Sequence, residues 1–391
     1  MTNSEISIKI VDTLLSVNET DWDACAAPEA VDEARPLDPF TTYRFLRALE
    51  ESGSVGNATG WHPYYILAIS GNQLLGCAPM YVKTHSQGEY IFDHSWANAY
   101  ERAGGKYYPK IQVAVPFTPV PGKRLLANNK NQEKVFPILL EGIKSFAAKN
   151  NLSSAHITFC SFDEFKKGGS LGLLKRTSSQ YHWKNDGYEN FQDFLDALSS
   201  RKRKNIRKER ERAKSFGGEI VRYSGKEITE RHWDAFWNFY QDTGRRKWGQ
   251  PYLTRNFFEI AGERLENELL MILAEIDGNP IAGALNFIGQ DALFGRYWGC
   301  TENYSNLHFE ICYYQAIEYA IENRLSRVEA GAQGEHKLAR GYMPSHTYSL
   351  HWINNNSFSK AVAQYLDEER LAVGEEMEIL SNYGPFKDIK L

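Results

Sequence analysis

Residues 66–78 read ILAISGNQLLGCA, and residues 272–284 read ILAEIDGNPIAGA. Each is an apolar run, a tight turn rich in Gly and Asn, and a second apolar run with a small residue inside it. That pattern is the signature of a β-hairpin. Aligning the two Gly-Asn pairs takes one inserted residue. A second pair of stretches follows in the same order: residues 139–156 (LLEGIKSFAAKNNLSSAH) and residues 313–329 (YYQAIEYAIENRLSRVE), again with one gap. Each reads as an apolar-periodic helix, a polar turn and a buried strand. Two echoes in one order point to a duplicated α/β unit with mixed sheets. The first copy is expected over residues 5–180 and the second over 187–391.

Working outward in the second copy, a strand is expected at Glu219 to Tyr223, then helices at Thr229 to Gly244 and Thr254 to Leu265. Strands follow at Leu269 to Ile276, Pro280 to Ile288 and Ala292 to Cys300. A helix is expected from Leu307 to Asn323, a strand from Arg327, another at Tyr348 to Trp352, and a long helix at Ser357 to Leu380.

A length of 391 residues fits two domains. The net charge of -4 argues against a nucleic-acid binder by bulk electrostatics. The five cysteines, Cys25, Cys77, Cys160, Cys300 and Cys312, are far apart and form no C-x-x-C pair, so neither a disulfide framework nor a metal site is expected. The polar N-terminus lacks the pattern of a signal peptide, and no stretch reaches the roughly 20 apolar residues of a membrane span. A cytoplasmic location is the expectation. There is no P-loop, G-x-G-x-x-G, G-x-S-x-G or H-E-x-x-H, which leaves kinase, dehydrogenase, α/β-hydrolase and zincin readings without support.

The order of elements resembles the GNAT acyltransferase fold. Its tandem duplication resembles the Fem-like transferases that add amino acids to peptidoglycan precursors. The wording is similar to a bacterial family of N-acyltransferases labelled peptidoglycan biosynthesis or recognition. The stretches that carry this are residues 92–105 (FDHSWANAYERAGG), 107–126 (YYPKIQVAVPFTPVPGKRLL), 296–299 (RYWG) and 308–342, which ends in EAGAQGEHKLARGY. The resemblance implies acyl or aminoacyl transfer to a small-molecule or peptide amine. No cofactor would be tightly bound. The donor would be a co-substrate: aminoacyl-tRNA, acyl-CoA or acyl-carrier protein. A non-catalytic module that recognises a cell-wall or peptide ligand on the same fold is the alternative. One departure bears on the donor. GNAT enzymes that use acetyl-CoA hold its pyrophosphate on a glycine-spaced loop before the central helix. Here residues 299–306 read GCTENYSN, without that spacing and with an acidic Glu302.

The densest polar cluster is residues 329–342, leaving a buried strand into a glycine-rich loop, a common place for function. Glu329 reads as a general base or amine-binding carboxylate, or as a buried partner of Arg340 or Lys337. His336 reads as an acid or base, the role histidine side chains fill near neutral pH, or as a loop histidine bonded to backbone. Arg340 and Lys337 read as clamps for a carboxylate or phosphate, with Gln333 and Tyr342 beside them. On the central helix, Glu310 and Tyr313 are three apart and share a face. Glu310 is a catalytic candidate, although its place in the first turn favours an amine-binding or Arg-pairing carboxylate. Arg296 and Trp298 would line an acyl channel, and Trp248 and Tyr252 would border the acceptor. Core packing is the competing reading for all four.

Residues 201–214 (RKRKNIRKERERAK) hold nine basic and two acidic side chains. Arg201, Arg203, Lys204 and Arg207 are the candidate anion-binding residues, for tRNA or an anionic lipid. A solvated helix, with Glu209 and Glu211 relieving repulsion, is the bland alternative.

Overall fold

The computed structural model describes residues 5–30, 34–56, 58–246, 249, 251–331 and 334–387. In chain order the elements are β1 (Ile6–Val11), α1 (Glu19–Ala26), α2 (Tyr43–Glu51), β2 (Trp61–Pro63), β3 (Tyr65–Ser70), β4 (Gln73–Ala78), β5 (Met80–Lys83), α3 (His94–Arg102), β6 (Lys110–Val113), β7 (Leu126–Ala127), α4 (Gln132–Lys149), β8 (Ser154–Cys160), α5 (Phe162–Ser170) and β9 (Leu174–Lys184). Then come α6 (Phe191–Ala197), α7 (Ser200–Ala213), β10 (Glu219–Ser224), α8 (Glu230–Arg246), α9 (Arg255–Arg264), β11 (Leu269–Ile276), β12 (Asn279–Ile288) and β13 (Ala292–Cys300). The central helix α10 (307–322), β14 (Arg327–Glu329), β15 (Met343–Ile353) and α11 (Asn356–Asn382) complete the chain.

Two compact units result. The first comprises Met1–Glu33, Phe40–Ser178 and His346–Glu375, and the second Ala34–Pro39, Ser179–Ser345 and Glu376–Leu391. The repeat in sequence therefore differs from the units in space. The sequence reading gave residues 346–375 to the second copy, but this segment belongs to the first unit. Its strand residues Tyr348 to Ile353 pair antiparallel with Cys160 to Ser154 of β8. Conversely, the end of β9 pairs with β14 in the second unit, with His182 opposite Glu329.

The duplication is visible in hydrogen bonds. In β3–β4 the pairs are Ile66 with Ala78, Leu67 with Cys77 and Ala68 with Gly76, and the register shifts after Ala68. In β11–β12 they are Ile272 with Ala284, Leu273 with Gly283 and Ala274 with Ala282, with the shift after Ala274. The two hairpins match in register residue for residue, bulge included. The inserted residue of the sequence alignment is not needed. Asp277 and Gly278, both at positive φ, stand where Gly71 and Asn72 stand, so the shared Gly-Asn letters occupy different turn positions. The helix ends repeat as well. Asn150 and Asn323 side chains bond the carbonyls four residues back, Asn151 and Arg324 adopt φ of 55°, and the Leu152 and Leu325 amides close onto the Ala147 and Ala320 carbonyls. This is left-handed helix termination used twice.

These registers make His156 on β8 the counterpart of Glu329 on β14: Gln112 pairs with the first and Phe294 with the second. Beyond that point the units diverge. In the first, β8 continues to Cys160, and the segment between β6 and β7 bonds along it: the Gly122 amide donates to the Phe159 carbonyl at 3.0 Å. The buried Arg124 guanidinium donates to the Thr158 carbonyl at 3.1 Å. The Glu164 carboxylate accepts the Arg124 and Leu125 amides at 2.8 and 2.7 Å. The Pro-rich stretch 116–124 thus fills the space beside the central strand. In the second unit β13 runs unbroken through Cys300, while its parallel ladder with β14 stops at Phe294 and Glu329.

Each unit has its own apolar core. Ile66, Met80, Ile111, Val113, Leu139, Ile157 and Leu350 anchor the first. Trp183, Phe194, Ile206, Ile272, Ile311, Ile317 and Val328 anchor the second. β11 (LLMILAEI) is buried on both faces, which is why its sequence is a continuous apolar run rather than an alternation.

Candidate functional site

The end of the β13–β14 ladder is bordered by α10 and by the loop after β14. Helix α10 is α-helical at Leu307–Phe309, a π-helical turn at Glu310–Tyr314, and α-helical again at Gln315–Glu322. The sequence predicted one uninterrupted helix here. Such π turns occur mostly as single bulges, frequently at functional sites. The loop after β14 coils into a 3₁₀ helix at Glu335–Arg340.

The turn and the loop meet at one hydrogen bond: Tyr313 Oη lies 2.8 Å from His336 Nε2. Tyr313 is buried, and burial pushes its phenol well above the usual range, so it stays protonated at neutral pH. His336 is exposed at the mouth of the cluster. Aromatic rings wall the site. His308 lies 5.0 Å from Trp298 and 5.4 Å from Tyr313, and Tyr342 lies 5.4 Å from Tyr313. Arg340 stacks its guanidinium 3.5 Å over the Phe309 ring and donates through Nη1 to the His336 carbonyl at 2.6 Å. Its Nη2 reaches Glu209 Oε1 at 2.9 Å, while its buried Nε has no hydrogen-bond partner among the described residues.

The structure thus brings Tyr313, His336, Arg340, Tyr342 and Trp298 together. Glu329 sits apart from them in the hydrogen-bond and ion-pair pattern. Its Oε1 accepts from Arg327 at 2.9 Å, His182 Nε2 is 3.8 Å from Oε2, and Oε2 has no hydrogen-bond partner among the described residues. The ion partner is therefore Arg327, two residues away on the same strand face, rather than Arg340 or Lys337. Burial holds the His182 imidazole neutral below its ordinary range. Lys337 is buried and donates to the Gly331 carbonyl at 2.9 Å. Glu310 is held by Arg210, at 2.9 and 3.1 Å, and by Gln315 at 2.8 Å. Arg210 also reaches Glu318, and Arg222 joins Glu318 and Gln315. Glu310 is thus one end of an ion-paired network that runs through Arg210 and Glu318 to Arg222.

Arg296 is half-buried beside the Tyr297 ring at 5.3 Å, and Tyr252 is 38% exposed. Trp248 and Gln333 lie outside the described residues. Gly299 permits close approach, but to α8: a Cβ there would meet the Phe239 carbonyl at 2.1 Å. In the first unit, Lys110 is fully buried between Glu89 at 2.7 Å and Asp93, with Ser86 at 2.9 Å.

The basic segment forms α7. Ile206 and Ala213 are buried, and Glu209 and Arg210 share their side of the helix, facing α10. Ser200, Arg203, Lys204, Arg207, Lys208 and Glu211 line an open groove of about 540 Å³ on another side. Arg203 bonds Asp196 and Arg207 bonds Gln192 at 3.0 Å, while Arg201 is exposed. Basic side chains in the first turn oppose the helix dipole, so this clustering costs helix stability rather than adding to it. Among the described residues, no group of three or more His, Cys, Asp or Glu side chains is placed to hold a metal, and no helix is long and apolar enough to cross a membrane.

The fold is a tandem of two GNAT-like units of the Fem type. FemX aligns over 91% of this chain and 100% of its own, at 11% identity and a TM-score of 0.53. L-PGS from Bacillus licheniformis aligns over 85% of this chain and 98% of its own, at 10% identity and a TM-score of 0.52. A tandem GNAT protein from the clavulanic acid biosynthesis pathway aligns over 90% and 99%, at 10% identity and a TM-score of 0.47. No curated protein matches the sequence. The profile of the FemAB-like family, described as peptidoglycan biosynthesis/recognition, matches residues 13–388. The chain belongs to the FemAB-like family.

Proposed function

We propose that this protein is an N-acyl- or aminoacyltransferase that forms an amide on a small-molecule or peptide amine, with its reaction centre in the second unit. The observation that carries this reading is the hydrogen bond between buried Tyr313 and exposed His336, set where the β13–β14 ladder ends. The acceptor amine attacks the donor carbonyl. As the C–N bond forms, His336 takes the proton from nitrogen. As the bond to the leaving oxygen or sulfur breaks, Tyr313 gives that atom a proton and is resupplied by His336 across 2.8 Å. The Arg340 Nε–H, buried without an acceptor among the described residues, is assigned to the tetrahedral oxyanion. Glu329, with one buried oxygen unpartnered among the described residues, is assigned to the acceptor ammonium, which releases one proton to solvent before the neutral amine attacks.

Two features of the loop support a donor other than a routinely held acetyl-CoA. The loop before α10 lacks the glycine spacing, and its Glu302 carboxylate, which accepts from the Tyr304 hydroxyl at 2.7 Å, would repel a diphosphate. The groove on α7 offers Arg203, Lys204, Arg207 and Lys208 to phosphates instead. Aminoacyl-tRNA is the donor this favours. In the first unit the equivalent space is occupied by its own chain, which supports a binding or structural role there.

The test is incubation with labelled aminoacyl-tRNA, acyl-CoA and acyl-carrier protein, each with a peptidoglycan-precursor peptide bearing a free amine. Transfer from charged tRNA that is lost in His336→Ala and Tyr313→Phe is expected. Transfer from CoA alone would overturn the donor assignment, and full activity in both variants would overturn the site. Binding of the precursor without turnover of any donor would favour a recognition module.

A further inference from the structure

Four interactions around the Tyr313–His336 pair close into a ring. Tyr313 and Tyr314 are chain neighbours on the π turn. Tyr314 Oη donates to Glu209 Oε2. Glu209 Oε1 accepts from Arg340 Nη2 at 2.9 Å. Arg340 Nη1 donates to the His336 carbonyl at 2.6 Å, and the His336 ring returns to Tyr313 at 2.8 Å. Glu209 is the single member from α7. It is three-quarters buried, at 24% side-chain exposure, within a segment of nine cations.

Resting on the transfer reaction proposed above, we propose that Glu209 is a positioning residue: its two oxygens clamp the π turn and the 3₁₀ loop at a fixed spacing and so hold His336 against Tyr313. A carboxylate is the side chain this job requires. It is acceptor-only, and both of its partners, the Tyr314 hydroxyl and the Arg340 guanidinium, are donors. An amide would keep one oxygen for Arg340 but reverse the bond to the Tyr314 hydroxyl, and would remove the charge that pairs with the guanidinium. Arginine is required opposite, because one planar fork spans both Glu209 and the His336 carbonyl, whereas a lysine ammonium on a flexible stem does not bridge them in a fixed plane. The clamp adds to the Tyr313–His336 bond and to the packing of Phe309 against Arg340 and His336, which also join the helix to the loop. Arg210, next in sequence, grips Glu310 at the start of the same turn, so α7 holds the turn at both ends. The helix that offers its cationic groove to phosphates is therefore the helix that sets the acid–base pair. Donor docking and proton-transfer geometry share one rigid element.

The experiment compares Glu209→Gln, Arg340→Lys and Tyr314→Phe with wild type in two measurements. The first is the NMR resonance of the His336 ring, with Tyr313→Phe marking its position when the hydrogen bond is gone. The second is steady-state transfer of the aminoacyl group from charged tRNA. The expected result is that Glu209→Gln and Arg340→Lys move the His336 resonance at least halfway to its position in Tyr313→Phe. Both should lower kcat about tenfold or more with KM for the donor within twofold, and the double variant should lose no more than the worse single one. Tyr314→Phe, which removes one oxygen and keeps the ring, should give the intermediate effect that separates the clamp from general loss of packing. A His336 resonance unmoved in Glu209→Gln would overturn the inference. So would a fall in unfolding temperature with kcat intact. If the resonance moves but wild-type protein transfers nothing from any donor, the clamp stands and the transferase reading fails.

Discussion

Lowering the pH from 7.5 to 5.0 should loosen the first unit through one buried histidine. His156 and His351 are both about 1% exposed, with their Nδ1 atoms 2.7 Å apart, so one ring donates to the other and neither has room for a second proton there. Burial pushes His156 down to about 3, the Lys110 ammonium pushes the same way, and Asp93 opposes them. In the unfolded chain the same imidazole titrates near about 6.5. Above pH 6.5 both states carry it neutral and its full stability is present. Below 6.5 the unfolded chain takes up a proton that the native state refuses until about pH 3, so stability falls with pH. Each unit of separation is worth about 1.4 kcal/mol, which gives a loss of about 2 kcal/mol at pH 5 from His156 alone. Hydrogen exchange across the β8 amides, read as opening free energy at both pH values, measures it in the first unit specifically. His156→Gln lowers stability at both pH values but should flatten the dependence by about that amount. The same slope in wild type and variant would refute the reasoning.

Other outcomes follow from the same geometry. Replacing Arg203, Lys204 and Arg207 together by Ala should weaken binding of charged tRNA and reduce the slope of log affinity against log salt by about two, at roughly 0.7–0.9 per lost phosphate contact; an unchanged slope in a filter-binding titration would place the RNA elsewhere. Gly299→Ala should destabilise the second unit by about 2–3 kcal/mol in urea unfolding, because its Cβ would lie 2.1 Å from the Phe239 carbonyl and the whole of α8 would have to retreat. Glu329→Gln should raise KM for the amine acceptor more than it lowers kcat, as expected of a carboxylate that holds the ammonium rather than moving a proton; the reverse pattern in steady-state kinetics would make it a base.

Much of the fold could be read from the letters. β11, β12 and β13 are long apolar runs separated by turn residues, and Thr254 caps α9 where its hydroxyl predicts. What misled was local likeness standing in for geometry. The Gly-Asn pairs at 71–72 and 278–279 look equivalent, yet the backbone needs positive φ at Asp277 and Gly278. The assignment of residues 346–375 to the first unit was invisible, because a strand's sequence specifies the faces it shows and not the sheet edge it joins. At the site, the glycine-rich stretch announced His336 and Arg340. Glu209 was hidden among basic residues, although its spacing from Ile206 and Ala213, at i+3 and i−4, marks it as inward-facing. Glu310 shows the converse: its first-turn position favoured an amine-binding or Arg-pairing carboxylate, and the structure pairs it with Arg210.

The strand that completes the first sheet comes from the far end of the chain. During synthesis, β8 is made long before Tyr348 to Ile353 can pair with it. At a translation rate of about 5–20 residues per second, the interval is roughly ten to forty seconds. For that time the nascent first unit carries an open sheet edge that includes His156, with the apolar rows of β6 and β8 already in place. Such an edge is a template for mispairing until it is covered. The order of the letters thus assigns this protein a waiting period on the ribosome, and with it a window in which a chaperone has something to hold.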